Sequence, residues 1–214
     1  MKTSGAFLTP APRGAFTLPE LLVIIVVTSL LFLVLAPRMG SRSKAKSRRI
    51  QCVNNLKQVG LAMRIWSTTH QDAYPMSAST SLGGLSEWVG RRSLASLLRQ
   101  SFPAELSPTL LSCPSDLRPP ATNMASLTDK NISYFFNADA DETKPRTVLA
   151  GDRNILTNGV VAGPGRLTFS GHPAVTWSQA IHNRQGNVAM GDSSVQQYGP
   201  GRITGNPGER WVVP

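Results

Sequence analysis

The sequence predicts an α+β chain: one long N-terminal α-helix, half suited to a membrane and half amphipathic, packed on a C-terminal antiparallel β-sheet head. Three observations predict it. Leu21–Ala36 holds sixteen consecutive uncharged residues, and counting from Phe16 gives 21 residues, roughly 32 Å of helix. Beyond it, Ile50, Val53, Leu56, Val59, Met63 and Trp66 recur at three- and four-residue steps, one face of an α-helix. The chain also carries 16 Pro and 18 Gly in 214 residues, mostly past that helix, a composition of short strands and many turns rather than of a helical bundle.

The elements follow in order. Residues 1–15, "MKTSGAFLTPAPRGA", form a short leader with Lys2 and Arg13 as its positive charges. Residues 16–36 form a transmembrane or filament-core helix. Its start, "FTLPE", reads as a capping box: Thr17 caps, Pro19 tolerates the first turn, and Glu20 stands three residues after Thr17. A carboxylate there is also favoured by the helix dipole. Residues 37–70 continue the helix as its amphipathic half, with Gly60 its one weak position. The helix stops near Thr68–Asp72, before Tyr74-Pro75.

Residues 71–214 make the β-rich head. Leu94–Ser101 predicts a short helix ended by Pro103. Strand signals cover 132–136, 147–150, 159–162, 167–169, 175–177, 187–190 and 194–198. The last two predict a hairpin around Gly191-Asp192-Ser193. "GPGRLT" (163–168) and "GPGRIT" (199–204) read as one turn-then-strand device used twice, since six residues are too few for a domain repeat.

Two cysteines, Cys52 and Cys113, allow one pairing. In an exported head they would close a loop of about 60 residues, worth about 4 kcal/mol; the alternative is two unrelated buried thiols. With His70, His172 and His182 far apart, no zinc-ligand spacing appears.

The order of basic leader, small residue, "FTLPE" and apolar helix resembles the N-terminus of type IV prepilins and type II secretion pseudopilins. The resemblance implies cleavage and methylation by a membrane prepilin peptidase between Ala15 and Phe16, with a cut after Gly14 as the alternative. Glu20 would then be the fifth mature residue, and Pro37 matches the proline such helices often carry. Pro19 departs from the commoner Ile. A lone carboxylate in hydrocarbon costs about 2.5–3.5 kcal/mol at mid-membrane and less near the interface. The amine of Phe16 on a neighbouring subunit would offset that cost, so the resemblance makes Phe16 and Glu20 assembly determinants.

"RRIQCVNNLKQVGLAMRIW" is similar to the C-x-NNL-x-Q-x-G-x-A stretch of a large pilin-like group of planctomycete and verrucomicrobial bacteria. That group also shows a mid-chain Cys-Pro, here Cys113-Pro114, and a C-terminal His, nine residues, then Asp-Gly. Here nine residues separate His182 from Asp192, with Ser193 in place of Gly. "LAGDRNI" (149–155) and "HNRQGNVAMGDSSVQ" (182–196) resemble its verrucomicrobial subset. The resemblance implies a pilin-like fold and, as partners, identical or related subunits, the peptidase and an inner-membrane assembly platform.

One feature opposes that orientation. The run 38–49 holds six basic residues and no acid, against two basic residues in the leader. The positive-inside rule would put 38–49 in the cytoplasm, whereas the resemblance puts it outside. A solvated helix meeting anionic headgroups or acidic neighbours reconciles the two.

For chemistry in the head, Asp152, Arg153, Asn154, His182, Asn183 and Asp192 are the candidate polar residues. Asp152 and Asp192 are candidates to hold Ca²⁺, and calcium wants several oxygen ligands. Turn chemistry is the plainer reading, with His182 bonding the Asp192 turn to pin the final hairpin. No nucleophile elbow, phosphate loop, metal helix or paired-carboxylate motif is present, so neither an enzyme nor a dedicated cofactor is expected. The formal charge of +10 raises DNA binding, since phosphate contacts need only Lys and Arg, but the clustering of six positives on one stem favours a solvated helix face. The sequence thus predicts a processed filament subunit of a bacterial inner membrane, single-pass, with its head outside the cytoplasm. The alternative is a membrane-anchored periplasmic ligand-binding protein or enzyme on a non-polymerising tether.

Overall fold

The computed structural model describes residues 16–102, 106–201 and 203–214, and the backbone alone for 36–42. The leader, with Gly14 and Ala15, and Pro103 lie outside the described residues. The chain divides into a unit ending at Ser43 and a compact unit over Lys44–Pro214. The division falls inside the first helix rather than at its end.

Helix α1 spans Leu18–Ser67 and runs through Pro37. In the first unit its apolar side chains, from Leu18 to Leu35, are all exposed. In the second unit it buries Cys52, Leu56, Val59 and Met63. This stripe is rotated from the sequence expectation: Ile50 is exposed, Val53 and Trp66 are only half-buried, and Leu61 and Ile65 are 54% and 58% exposed. The rotation has a local cause at Gly60. A Cβ there would stand 3.2 Å from the Ser193 Cβ, and Ser193 Oγ donates to the Gly60 carbonyl at 3.1 Å. The missing side chain lets the last hairpin dock on the helix. Past Ser67, the N–H of His70 and of Asp72 both bond the Ser67 carbonyl. Gln71 and Asp72 then turn the chain with φ of 58° and 56°.

Helix α2, Leu94–Ser101, starts on Ser93, whose side chain accepts the Ser96 N–H. It buries Leu94, Ala95, Leu97 and Leu98. The strands are β1 (Tyr134–Asn137), β2 (Val148–Asp152), β3 (Ile155–Thr157), β4 (Val160–Val161), β5 (Gly165–Thr168), β6 (Ala174–Trp177), β7 (Gly186–Met190), β8 (Val195–Tyr198), β9 (Ile203–Thr204) and β10 (Arg210–Val213). They form a six-stranded sheet, β5-β10-β1-β2-β7-β8, and a four-stranded sheet, β4-β3-β6-β9. Their pairings are antiparallel.

The larger sheet is covered on both faces. Tyr134, Phe136, Ala150, Ala189 and Val212 join the helices in one core. Phe135, Val188, Trp211 and Val213 join Phe169, Val175, Trp177 and Ile203 in a second core toward the smaller sheet. Phe135 stacks on Trp211 with ring centroids 4.4 Å apart, and Phe169 meets Trp211 edge-on at 4.9 Å. A register shift between Val148 and Ala150 puts Leu149 beside Ala150 in the helix-side core, which breaks the period of two.

The fold is the α+β arrangement of a pilin-like protein: long N-terminal helix, then antiparallel sheet. The hairpin β7–β8 turns through Gly191, Asp192 and Ser193. The two GPGR segments enter different sheets, β5 the larger and β9 the smaller.

Candidate functional site

Two places carry chemistry, one in each unit. The first is the start of α1. Glu20 Oε2 accepts the Thr17 N–H at 3.0 Å and the Thr17 hydroxyl at 2.7 Å. The Leu21 N–H bonds the Thr17 carbonyl. Glu20 thus reaches back to the cap residue, the half of a capping box in which the N3 side chain bonds the cap N–H. Both contacts fall on one carboxylate oxygen, and Oε1 receives none among the described residues. Phe16 is exposed beside it. Leu18–Leu35 is long and apolar enough to cross a membrane by length and composition.

The second place is a buried polar cluster where α1 meets β2 and β7. Cys52 on α1 and Cys113 are joined in a disulfide, with Cα atoms 5.0 Å apart. His182 Nε2 lies 3.4 Å from Cys113 Sγ and 3.6 Å from Asp152 Oδ2. Asp152 ends β2 and is fully buried. Its Oδ2 accepts the Asn187 N–H at 2.8 Å and Asn187 Nδ2 at 3.0 Å. Among the described residues its Oδ1 has no partner, nor does the hydroxyl of Tyr134 opposite it on β1.

Arg49 reaches the same cluster from α1. Its Nε donates to Asn187 Oδ1 at 3.2 Å, its Nη2 to the Tyr198 carbonyl at 3.1 Å, and its Nη1 to Gln185 Oε1. Among the described residues no carboxylate pairs with it.

Backbone geometry delivers His182 to this position at some cost. His182, Asn183 and Arg184 have φ of 53°, 52° and 62°, a run of left-handed non-glycine residues that costs about 1–2 kcal/mol each. Asn154 holds the turn by donating Nδ2 to the carbonyls of Ser178 (2.8 Å) and Ile181 (3.1 Å). The Arg184 N–H bonds the Ser178 carbonyl.

Burial sets the charge state. Desolvation pushes the Asp152 carboxyl up to about 7, against hydrogen bonds from Asn187 and the field of Arg49. Desolvation, then the Arg49 charge, pushes His182 down to about 4. The contact is therefore a neutral pair in mildly acidic solution rather than an ion pair. Desolvation also lowers Arg49 from the usual guanidinium range.

Two sequence expectations are corrected. His182 does not bond the Asp192 turn; it turns instead against the disulfide and Asp152. The Asp192 turn is held by its own Asx bond, Ser194 N–H to Asp192 Oδ1 at 2.9 Å, by Ser193 on Gly60, and by the Tyr74 hydroxyl on the Gly191 carbonyl at 2.6 Å. Asp152 and Asp192 do not converge as calcium ligands. Asp152 bonds Asn187 near the start of β7, and Asp192 follows the end of that strand at Met190, so the length of a strand separates them.

Among the described residues, Cys52, Cys113 and His182 are close enough to hold a metal, their ligand atoms lying within 4.8 Å of one another. Both sulfurs are spent in the disulfide, which leaves no thiolate to ligate. Nor does His182 bond a hydroxyl among the described residues.

Sequence reasoning placed Arg49 on a solvated helix face. The signal that finds it is its step: 49, 52, 56, 59 and 63 fall three and four apart, so Arg49 continues the buried stripe. Asn187, Gln185 and the Tyr198 carbonyl, as its acceptors, have no signature in one sequence.

Residues 42–170 match the family model described as "Protein of unknown function (DUF1559)". No curated protein and no solved structure matches this chain.

Proposed function

The chain belongs to the family described as "Protein of unknown function (DUF1559)", and from that membership and its pilin-like fold we propose that it is a structural subunit of a type IV pilus-like or type II secretion-like filament. A prepilin peptidase cuts it before Phe16, and an inner-membrane platform assembles it with identical or related subunits. The head lies on the non-cytoplasmic face, a side that suits its disulfide. Its role is assembly, not catalysis.

The observation that carries the reading is the stem. An apolar run from Leu18 to Leu35 is exposed throughout, and a carboxylate whose Oε1 accepts no bond among the described residues stands at its first turn. Lipid covers such a run before assembly, and neighbouring helices cover it afterwards. In a stack of helices, the Phe16 amine of one subunit and Glu20 of the next fix axial register, each offsetting the desolvation of the other.

Mass spectrometry of the N-terminus of the mature protein from its native cell tests this. A methylated amine on Phe16 is the expected result. An intact Met1, or a cut beyond residue 36, would leave a tethered or released head and end the filament reading.

A further inference from the structure

The basic run that opposed the expected orientation is partly built into the head. Lys46, Arg48 and Arg49 share the wall of a cleft of about 490 Å³ with Ser115, Asn183 and Gln185. From this arrangement we propose that the cleft is a binding site for a phosphate group.

Three observations support it. The wall carries three cations and no carboxylate. The two nearby acids are withdrawn: Asp116 takes both oxygens to Arg153, at 2.7 and 2.8 Å, and Asp152 is fully buried behind Asn187. Arg49 is half-buried and held by three neutral acceptors, so its planar donor fork is fixed, and among the described residues no carboxylate forms a salt bridge with it, Asp152 acting on it only through its field. Amide and hydroxyl groups in the same lining, from Ser115, Asn183 and Gln185, add the neutral donors a tetrahedral oxyanion uses.

The phosphate can come from an anionic lipid headgroup or from solution. The lipid source rests on the filament reading, in which the apolar run is membrane-embedded before assembly. Lys46 follows Ala36, the last residue of that run, by only ten residues. Basic residues close to a span are attracted to anionic headgroups, and such a contact would hold the head at the bilayer until the subunit is drawn into the polymer.

The test uses the full chain. In uncharged detergent, inorganic phosphate is titrated against chloride at matched ionic strength, and hydrogen-exchange protection of residues 45–49 and 182–187 is read. In parallel, the chain is reconstituted in phosphatidylcholine vesicles with and without phosphatidylglycerol. Saturable protection by phosphate is expected. It should weaken about tenfold in the double variant K46A/R48A, two exposed positions whose loss leaves the fold intact. Added protection by phosphatidylglycerol identifies the lipid source; its absence, with phosphate saturation retained, identifies free phosphate. Equal curves for phosphate and chloride, or an unchanged double variant, would overturn the site. So would phosphatidylglycerol protection without phosphate saturation, which reduces the cleft to a diffuse basic surface. N-terminal trimming is measured separately, so an untrimmed chain that still binds phosphate would fail the filament reading and keep the cleft.

Discussion

Asp152 and His182 titrate in opposite senses, which has a measurable consequence. The Asp152 carboxyl rises from 3.8 to about 7 on folding. The folded state then binds the proton more tightly, and this group's contribution to stability falls as pH rises from about 4 to 7. His182 drops from 6.5 to about 4. There the unfolded state binds the extra proton, and stability rises over about pH 4 to 6.5. The two slopes offset each other through most of that window. Asp152→Asn removes one and unmasks the other: relative to the parent, the variant should gain stability with rising pH. His182→Gln should lose it. Each change is on the order of 3 kcal/mol across the window. Urea unfolding of parent and variants between pH 4 and 7 reads both slopes, and parallel profiles would show that the pair is not neutral. The sequence named both residues, because Asp and His in "LAGDRNI" and "HNRQGNVAMGD" stand out by chemistry. It paired His182 with the wrong acid. Nine residues to Asp192 look short along the chain, but the left-handed turn at 182–184 swings the imidazole toward the start of β7 instead.

At the scale of elements, the disulfide ties α1 to the loop ahead of β1. Cys52 and Cys113 are 61 residues apart, and among the described residues the loop between them contains α2 but no strand of either sheet. Removing the bond frees that loop in the unfolded chain. The double variant C52S/C113S should lose about 4 kcal/mol by the chain-entropy argument. Denaturant midpoints with and without a thiol reductant measure it: the reductant should shift the parent and leave the variant unmoved. An unmoved parent would mean that the loop is held by packing alone. The elements themselves were unevenly legible. α1, α2 and the β7–β8 hairpin announce themselves through helical spacing, a Ser cap and a Gly-Asp-Ser turn. β10 escaped, although it sits between β5 and β1 in the larger sheet. Its "RWVV" is four residues long and follows "GNPGE", and it buries Trp211, Val212 and Val213 on both faces, so no alternation marks it. β1 is buried throughout in the same way, because a helix covers one face and a second sheet the other, yet the run 132–136 shows through its Ile, Tyr and Phe residues rather than through alternation. Periodicity reports a half-exposed strand; it is silent when both faces are covered.

For the whole molecule, the division at Ser43 separates two kinds of stability. The cores that hold the head lie within Lys44–Pro214, and Glu20 belongs to the other unit. Substitutions at Glu20 should therefore leave the head's thermal transition unchanged while acting on assembly. Two of them separate the roles of that carboxylate. Glu20→Gln keeps an oxygen to accept from Thr17, so the cap survives and the charge is lost. Glu20→Ala removes both, and the cap alone is worth about 0.5–2 kcal/mol to the start of the helix. If the acid serves register by meeting the Phe16 amine of the next subunit, both variants should lose most of the polymer recovered from cells, with precursor trimming still seen by mass. If it serves only the cap, Glu20→Gln should polymerise like the parent and Glu20→Ala should not. Equal polymer from all three proteins would remove Glu20 from assembly altogether. The physical ground for expecting loss in both is the position of the charge. A cap can be made by Thr17, Ser or Asn at the helix start, but an ionised carboxylate packed among apolar helices is costly unless a cation offsets its desolvation, and in the filament reading the Phe16 amine of the next subunit is that cation.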